Sequence, residues 1–140
     1  MSTEHIRALV EDRINAVRNK DINELVSKYA PDVLSFDVVD PLLSTGSEAI
    51  RKRLEEWFAS FQGPISFEIR GLSIVSGDDA AFCHGLSGVS GIRTGGEQLN
   101  MWYRTTICYR KIDGKWVIVH EHNSVPFNVE TGKASLDLKS

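Results

Sequence analysis

The chain has 140 residues, a length that suits one domain with a single buried core. Hydrophobic residues make up 41% and charged residues 25%, and the formal net charge is −3. This balance, with no long run of like charges, argues against nucleic acid or an anionic membrane as the main partner. No stretch approaches the roughly 20 apolar residues that span a bilayer, and the N-terminus lacks the apolar segment of a signal peptide, so we expect a cytoplasmic protein.

The first part of the chain has the apolar spacing of amphipathic helices. That spacing predicts a first helix over residues 3–19. Asp21 and Glu24 form the pattern of a capping box, which predicts the start of a second helix that Pro31 should end. Ser47 is a typical N-cap residue and predicts the start of a third helix, which the following Gly-Pro pair should end.

Most of the strand signals follow the third helix, where apolar residues recur at every second position. One further strand is predicted between the second and third helices. The predicted strands cover residues 33–39, 65–76, 79–89, 98–112 and 115–126. Helices followed by long strands favour an α+β fold with the helices on one face of a curved antiparallel sheet. We expect one domain over residues 1–128 and a polar C-terminal tail over residues 129–140.

Asp37 stands out because it lies inside the apolar run of the first predicted strand. Burying an unpaired carboxylate costs several kcal/mol or raises its pKa. Asp37 is therefore expected either to form an ion pair or to act as a base.

Two stretches of the chain carry a family resemblance. The first, residues 5–37, runs without a gap against the start of bacterial ketosteroid isomerases and includes Tyr29-Ala30-Pro31-Asp32. The second comprises Asp113-Gly114-Lys115-Trp116 and His120-Glu121-His122-Asn123-Ser124, and it is similar to the association domain of calmodulin-dependent kinase. The chain thus resembles the nuclear-transport-factor-like, or SnoaL-like, superfamily. The resemblance implies a cystatin-like α+β cone, in which three N-terminal helices pack on a strongly curved antiparallel sheet and enclose a cavity.

The resemblance also implies an activity. In the isomerase register Asp37 falls on the general base, which implies proton transfer of the isomerase, cyclase or dehydratase type on a hydrophobic, carbonyl-bearing small molecule. The two oxyanion donors of the isomerases are replaced by Arg13 and, allowing one gap, by Thr106, so steroid isomerase activity is not expected. The alternative is a non-catalytic domain for ligand binding or oligomerisation, like the kinase module.

Strand alternation predicts which side chains face the cavity together with Asp37 and can act with it. His84 can relay protons beside it, or it can be a neutral histidine that is hydrogen-bonded in the core. Arg104 can bind a ligand carboxylate or stabilise an oxyanion, or it can pair with Asp37 or Glu121. Trp102 can stack on a flat ligand or belong to the core. Asp37, His84 and Arg104 are the candidate catalytic residues.

Further side chains are expected to line the cavity as ligand contacts. They are Tyr29, Trp57, Phe61, Asn100, Trp102, Thr106, Glu121 and Asn123. We expect no cofactor. His120 and His122 have the spacing of two metal ligands on one strand, but Glu121 points to the opposite face, so the sequence does not favour a metal site.

The outer face of the sheet is predicted to mediate self-association. The residues expected on it are Tyr103, Thr105, Ile107, His120 and His122. This set is too apolar and aromatic for a free sheet surface, which predicts a homodimer.

Overall fold

The computed structural model describes residues 2–139, and within that range it contains three helices and six strands. The helices are α1 (Ser2–Arg18), α2 (Ile22–Ser27) and α3 (Ser47–Ala59). The strands are β1 (Tyr29–Phe36), β2 (Ser44–Thr45), β3 (Phe61–Ser76), β4 (Ala80–Arg93), β5 (Gln98–Ile112) and β6 (Lys115–Ser124). Met1 and Ser140, which the predicted domain and tail include, lie outside the described residues.

The predicted N-cap role of Asp21 is confirmed, but the predicted end of α2 is wrong. The backbone N–H of Glu24 donates to Oδ1 of Asp21 over 3.2 Å. The helix ends at Ser27, and Pro31 lies inside β1. Pro31 is tolerated there because the pairing of β1 with β6 is irregular between Tyr29 and Leu34, so the ladder does not need its missing N–H.

The boundaries of α3 also differ from the prediction. Ser47 is the first helical residue, and the N-cap position belongs to Gly46, which makes no side-chain capping bond. Gly46 has a φ of 98°, a backbone conformation that L side chains rarely adopt. The helix ends at Ala59 and β3 begins at Phe61, so the Gly-Pro pair that follows lies within an irregular start of that strand.

The six strands form one sheet in the order β2-β1-β6-β5-β4-β3. All neighbours are antiparallel except β1 and β6, which run parallel. The helices pack against one face of this curved, unclosed sheet, so the predicted α+β architecture is confirmed. The parallel pair matters for function because it places Ser35 opposite Glu121 in the middle of the sheet.

Two apolar clusters hold the helices on the sheet. The first joins Ile6 and Val10 of α1 to Ile107 of β5. The second joins the end of α1 to Phe58 of α3 and Val89 of β4. Among residues 2–139, none of the helices has the length and apolar character that a membrane-spanning helix requires.

The segment after β6 turns back toward the domain. Phe127 forms an isolated bridge with Ala134, and the N–H of Ser135 donates to the carbonyl of Pro126 over 2.8 Å. Part of the predicted polar tail, Ala134 and Leu136, thereby lines the cavity described below.

Candidate functional site

A cavity of about 750 Å³ lies between the inner face of the sheet, α3 and the C-terminal segment. This volume is within the range of small-molecule sites, roughly 300–1,000 Å³. Its apolar wall includes Trp57 of α3, Leu99 and Met101 of β5, and Leu136 of the C-terminal segment. Its polar groups form two sets that differ in burial.

The first set, which we call the buried cluster, comprises Arg13, Tyr29, Glu121 and Asn123. Arg13 donates to the Tyr29 hydroxyl over 2.8 Å and to Glu121 Oε1 over 2.7 Å. Tyr29 donates to the same carboxylate oxygen over 2.5 Å, and Nδ2 of Asn123 donates to Oε2 over 3.1 Å. The cluster thus joins α1, the start of β1 and β6 by side-chain hydrogen bonds.

The protonation states in the buried cluster follow from its burial and charges. Burial alone would lower the pKa of Arg13, but the negative charge of Glu121 and the contacts with Tyr29 raise it well above its usual value. Burial also raises the pKa of Tyr29, although Arg13 opposes this. Arg13 therefore remains a cation and Tyr29 remains a hydrogen-bond donor over the physiological pH range.

The second set, the rim pair, is Asp37 with Arg53. Nε of Arg53 lies 3.1 Å from Oδ2 of Asp37, and the N–H of Val38 donates to Oδ1 over 2.7 Å. The Asp37 side chain is 25% exposed and that of Arg53 is 32% exposed, whereas Arg13 and Glu121 are 14% and 8% exposed. Asp37 is therefore an ion-paired carboxylate that both solvent and the cavity reach.

Tyr103 adds a phenol to the cavity wall. Burial raises its pKa, and the negative charges of Glu121 and Asp37 raise it further, while Arg13 opposes them. Close by on the inner face, the hydroxyls of Ser87 and Thr105 lie 2.6 Å apart. Tyr103 therefore stays protonated beside the two carboxylates.

Five of the residues predicted for the site line the cavity. They are Asp37, Tyr29, Trp57, Glu121 and Asn123. Phe61 does not line it: this side chain is buried in the second apolar cluster and lies edge-on to Trp57, with ring centroids 6.0 Å apart.

The remaining predicted site residues lie on the opposite face of the sheet, which corrects the prediction. They are His84, Asn100, Trp102, Arg104 and Thr106, and in this structure none of them reaches the cavity. His84, Asn100 and Arg104 are exposed, and Trp102 stacks on the outer face with the Arg70 guanidinium 4.8 Å from its ring centroid. Asp37 and Arg104 therefore do not meet.

The faces of β5 are reversed relative to the prediction for a physical reason. Both faces of β5 carry large apolar or aromatic side chains, so alternation does not say which one faces the helices. The structure places Leu99, Met101, Tyr103, Thr105 and Ile107 inward, and Ile107 is only 1% exposed. Three members of the predicted outer set, Tyr103, Thr105 and Ile107, are thus inward, while His120 and His122 are outward beside Phe36.

Sequence reasoning missed two cations of the site. Arg13 stands where the ketosteroid isomerases that the chain resembles have an oxyanion tyrosine. That alignment was enough to predict that Arg13 lies at the cavity. Arg53 precedes Trp57 by one helical turn, so their shared helix face was a second usable signal. Residues 2–139 contain no group of three His, Cys, Asp or Glu side chains placed to bind a metal ion.

Comparison with known families and structures agrees with this architecture. The model of the SnoaL-like domain matches residues 6–128. The chain belongs to the SnoaL-like family. No curated protein matches the chain significantly.

Solved structures extend the comparison. An NTF2-like protein of unknown function from Pseudomonas putida is 35% identical, covers 98% of this chain and 95% of its own, and superposes with a TM-score of 0.89. A candidate dehydratase of the NTF2-like family from Streptomyces avermitilis is 14% identical over 87% of this chain and 94% of its own, with a TM-score of 0.77. The association domain of C. elegans CaMKII is 18% identical over 88% and 95%, with a TM-score of 0.68. The last two share the fold with this SnoaL-like protein.

Proposed function

We propose that this SnoaL-like protein is an enzyme that binds a hydrophobic, carbonyl-bearing small molecule and that Asp37 transfers a proton on it. The reaction would be of the isomerase, cyclase or dehydratase type. The observation that supports this role best is the difference between two cavity carboxylates. Glu121 accepts three hydrogen bonds from the buried cluster, whereas Asp37 accepts one from Arg53 and one from a backbone N–H.

The chemistry requires a free lone pair and a donor for the developing charge. An ionised carboxylate has about four acceptor sites, so Asp37 keeps roughly two for a substrate C–H or O–H group. Arg53 orients the carboxylate and keeps its negative charge paired. Tyr103, which burial keeps protonated, is the group we assign to stabilise an enolate-like oxygen.

Deuterium exchange tests this proposal without knowledge of the natural substrate. 2-Tetralone is a hydrophobic bicyclic ketone with exchangeable protons next to its carbonyl, and its exchange in D₂O can be followed by NMR. We expect the protein to accelerate exchange and Asp37→Asn to reduce the acceleration by about 10²–10⁴, the usual contribution of general acid–base catalysis. Asp32→Asn is the matched control, because Asp32 lies in β1 close to Asp37 but is exposed and does not line the cavity. Equal exchange by the wild type and Asp37→Asn would overturn the proposal.

The ion pair between Asp37 and Arg53 favours a second candidate, a non-catalytic ligand-binding or oligomerisation domain. In that case both residues would orient a bound molecule, and 2-tetralone would bind without accelerated exchange. A saturable shift of its NMR signals with exchange at the buffer rate would support this candidate.

Self-association through the outer sheet face is also part of the proposal, and a cytoplasmic location remains our expectation. The apolar side chains of this face are partly exposed: Phe82 by 41%, Leu86 by 37% and Val75 by 52%. Together with Trp102 they form a surface that a second copy of the chain can cover. The association domain of CaMKII, which shares the fold, is consistent with such assembly.

A further inference from the structure

Asn123 holds the one polar atom of the buried cluster that no described residue satisfies. Its Oδ1 is buried and accepts no hydrogen bond from residues 2–139. The orientation of the amide is fixed by its neighbour: a carboxylate oxygen can only accept, so Nδ2 must face Glu121 and Oδ1 must face away from it. A buried acceptor without a partner is unfavourable, and each such exception in a folded protein calls for an explanation, such as a catalytic role or a bound group.

None of the side chains of residues 2–139 donates to Oδ1 of Asn123 in this arrangement. Thr105 lies opposite Asn123 in the sheet, but its hydroxyl is 2.6 Å from that of Ser87 and makes no hydrogen bond with Oδ1 of Asn123. Tyr29 donates to Glu121. Val125, the next inward-lying neighbour on this part of the chain, lines the cavity with an apolar side chain.

We infer that Asn123 is a specificity-determining residue whose Oδ1 accepts a hydrogen bond from a hydroxyl or N–H group of the ligand. This inference rests on the proposed binding function of the cavity and narrows its ligand class. The ligand is an apolar molecule with a hydrogen-bond donor at the end that enters the buried cluster. Its apolar body then lies against Trp57, Leu99 and Met101.

The position of Asn123 relative to Asp37 determines which part of a bound ligand would lie near the Asp37 carboxylate. Parallel pairing sets Ser35 opposite Glu121 and Phe36 opposite His122. Asp37, which directly follows β1, and Asn123 both line the cavity beyond these pairs. Neighbouring strands are about 4.8 Å apart. A donor group held by Asn123 therefore brings the adjoining ligand atoms within reach of the Asp37 carboxylate.

Two matched probes test the inference: 1-hydroxypyrene, which donates and accepts, and 1-methoxypyrene, which only accepts. Binding of each is measured by its fluorescence anisotropy. We expect the wild-type protein to bind 1-hydroxypyrene about tenfold more tightly, the order of one buried hydrogen bond. In Asn123→Leu the preference should disappear through weaker binding of 1-hydroxypyrene alone. Trp57→Leu is the control and should weaken both probes by the same factor.

The outcomes separate this inference from the proposed catalytic role. Equal affinity of the wild type for the two probes would overturn the inference, whether or not Asn123→Leu folds, and so would a preference that persists in Asn123→Leu. Absence of binding by both probes would overturn it as well. The deuterium exchange of 2-tetralone and its dependence on Asp37 do not rely on either probe, so the catalytic proposal can stand or fail on its own.

Discussion

Arg13 on the first helix and Glu121 on the last strand form an ion pair with 2.7 Å between Nη2 and Oε1, although 108 residues separate them in the chain. The two side chains are only 14% and 8% exposed. The pair therefore joins the two ends of the domain through the interior and also forms part of the cavity surface. Arg13 and Glu121 therefore have a structural role in addition to the ligand contact proposed for the cavity, whereas Asp37 and Arg53 are more exposed and make fewer contacts with the core.

Removing the charge of Glu121 should destabilise the fold strongly. In Glu121→Gln the Arg13 guanidinium stays buried without its counter-charge, and breaking a buried pair in this way costs about 3–5 kcal/mol. Urea denaturation measures the free energy of unfolding directly. A loss below about 1 kcal/mol would mean that Arg13 is solvated in the native protein, contrary to the observed contacts.

Removing the charge of Asp37 should have a much smaller effect on stability. Asp37 and Arg53 are partly exposed, and ion pairs of this kind contribute about 0.2–1 kcal/mol. The same urea experiment on Asp37→Asn should therefore give a free energy of unfolding within about 1 kcal/mol of the wild type. A loss as large as that of Glu121→Gln would show that Asp37 has a mainly structural role and would weaken its assignment as a base.

The sequence predicted the three helices, the four long strands that follow them and a place for Asp37 at the cavity, because these depend on local spacing and on the family register. It did not predict the short strand β2 or the parallel pairing of β1 with β6. It did not predict which face of β5 is inward. Both faces of β5 carry large side chains, so local alternation could not decide between them. In β6 the pairing skips one residue between Ile118 and His120, so Ile118 and Glu121 are both buried although simple alternation predicts opposite faces. The buried cluster also depends on the parallel contact of β1 with β6, which brings together segments that are far apart in sequence.

The tyrosines should resist ionisation until the protein unfolds. The chain has three tyrosines, and burial raises the pKa of Tyr29, Tyr103 and Tyr109 in the folded state. In the unfolded chain these phenols ionise near pH 10. The stabilising contribution of the tyrosines is therefore fully present below that pH. Above it, the free energy of unfolding falls by up to about 1.4 kcal/mol per pH unit for each tyrosine. Tyrosinate absorbance near 295 nm and circular dichroism, followed together in an alkaline titration, should change at the same pH. Tyrosinate absorbance that develops while the circular dichroism is unchanged would contradict the burial of these phenols.

A charge on the outer sheet face should dissociate the proposed homodimer. Phe82→Glu places a carboxylate opposite Val75 and Cys108 on the outer face, where a partner subunit would have to desolvate it. Sedimentation velocity at micromolar concentration should then change from a dimer to a monomer. Leu42→Glu is the control, because Leu42 is 94% exposed and lies outside the sheet. A wild-type monomer under these conditions would argue against the dimer.

Gly88→Ala tests the corrected position of Trp102. A Cβ atom at Gly88 would lie 2.7 Å from the Trp102 ring, so the indole must move and lose its stacking with Arg70. Overpacking of this kind costs about 1–3 kcal/mol in the free energy of unfolding. Gly77→Ala is the matched control, because its Cβ would meet only an ordinary contact at 3.5 Å. Since Trp102 is on the outer face, the affinity for 1-hydroxypyrene should change less than about twofold, or roughly 0.4 kcal/mol. A selective tenfold loss of probe binding in Gly88→Ala would instead place Trp102 in the cavity and contradict the orientation of β5 in this structure.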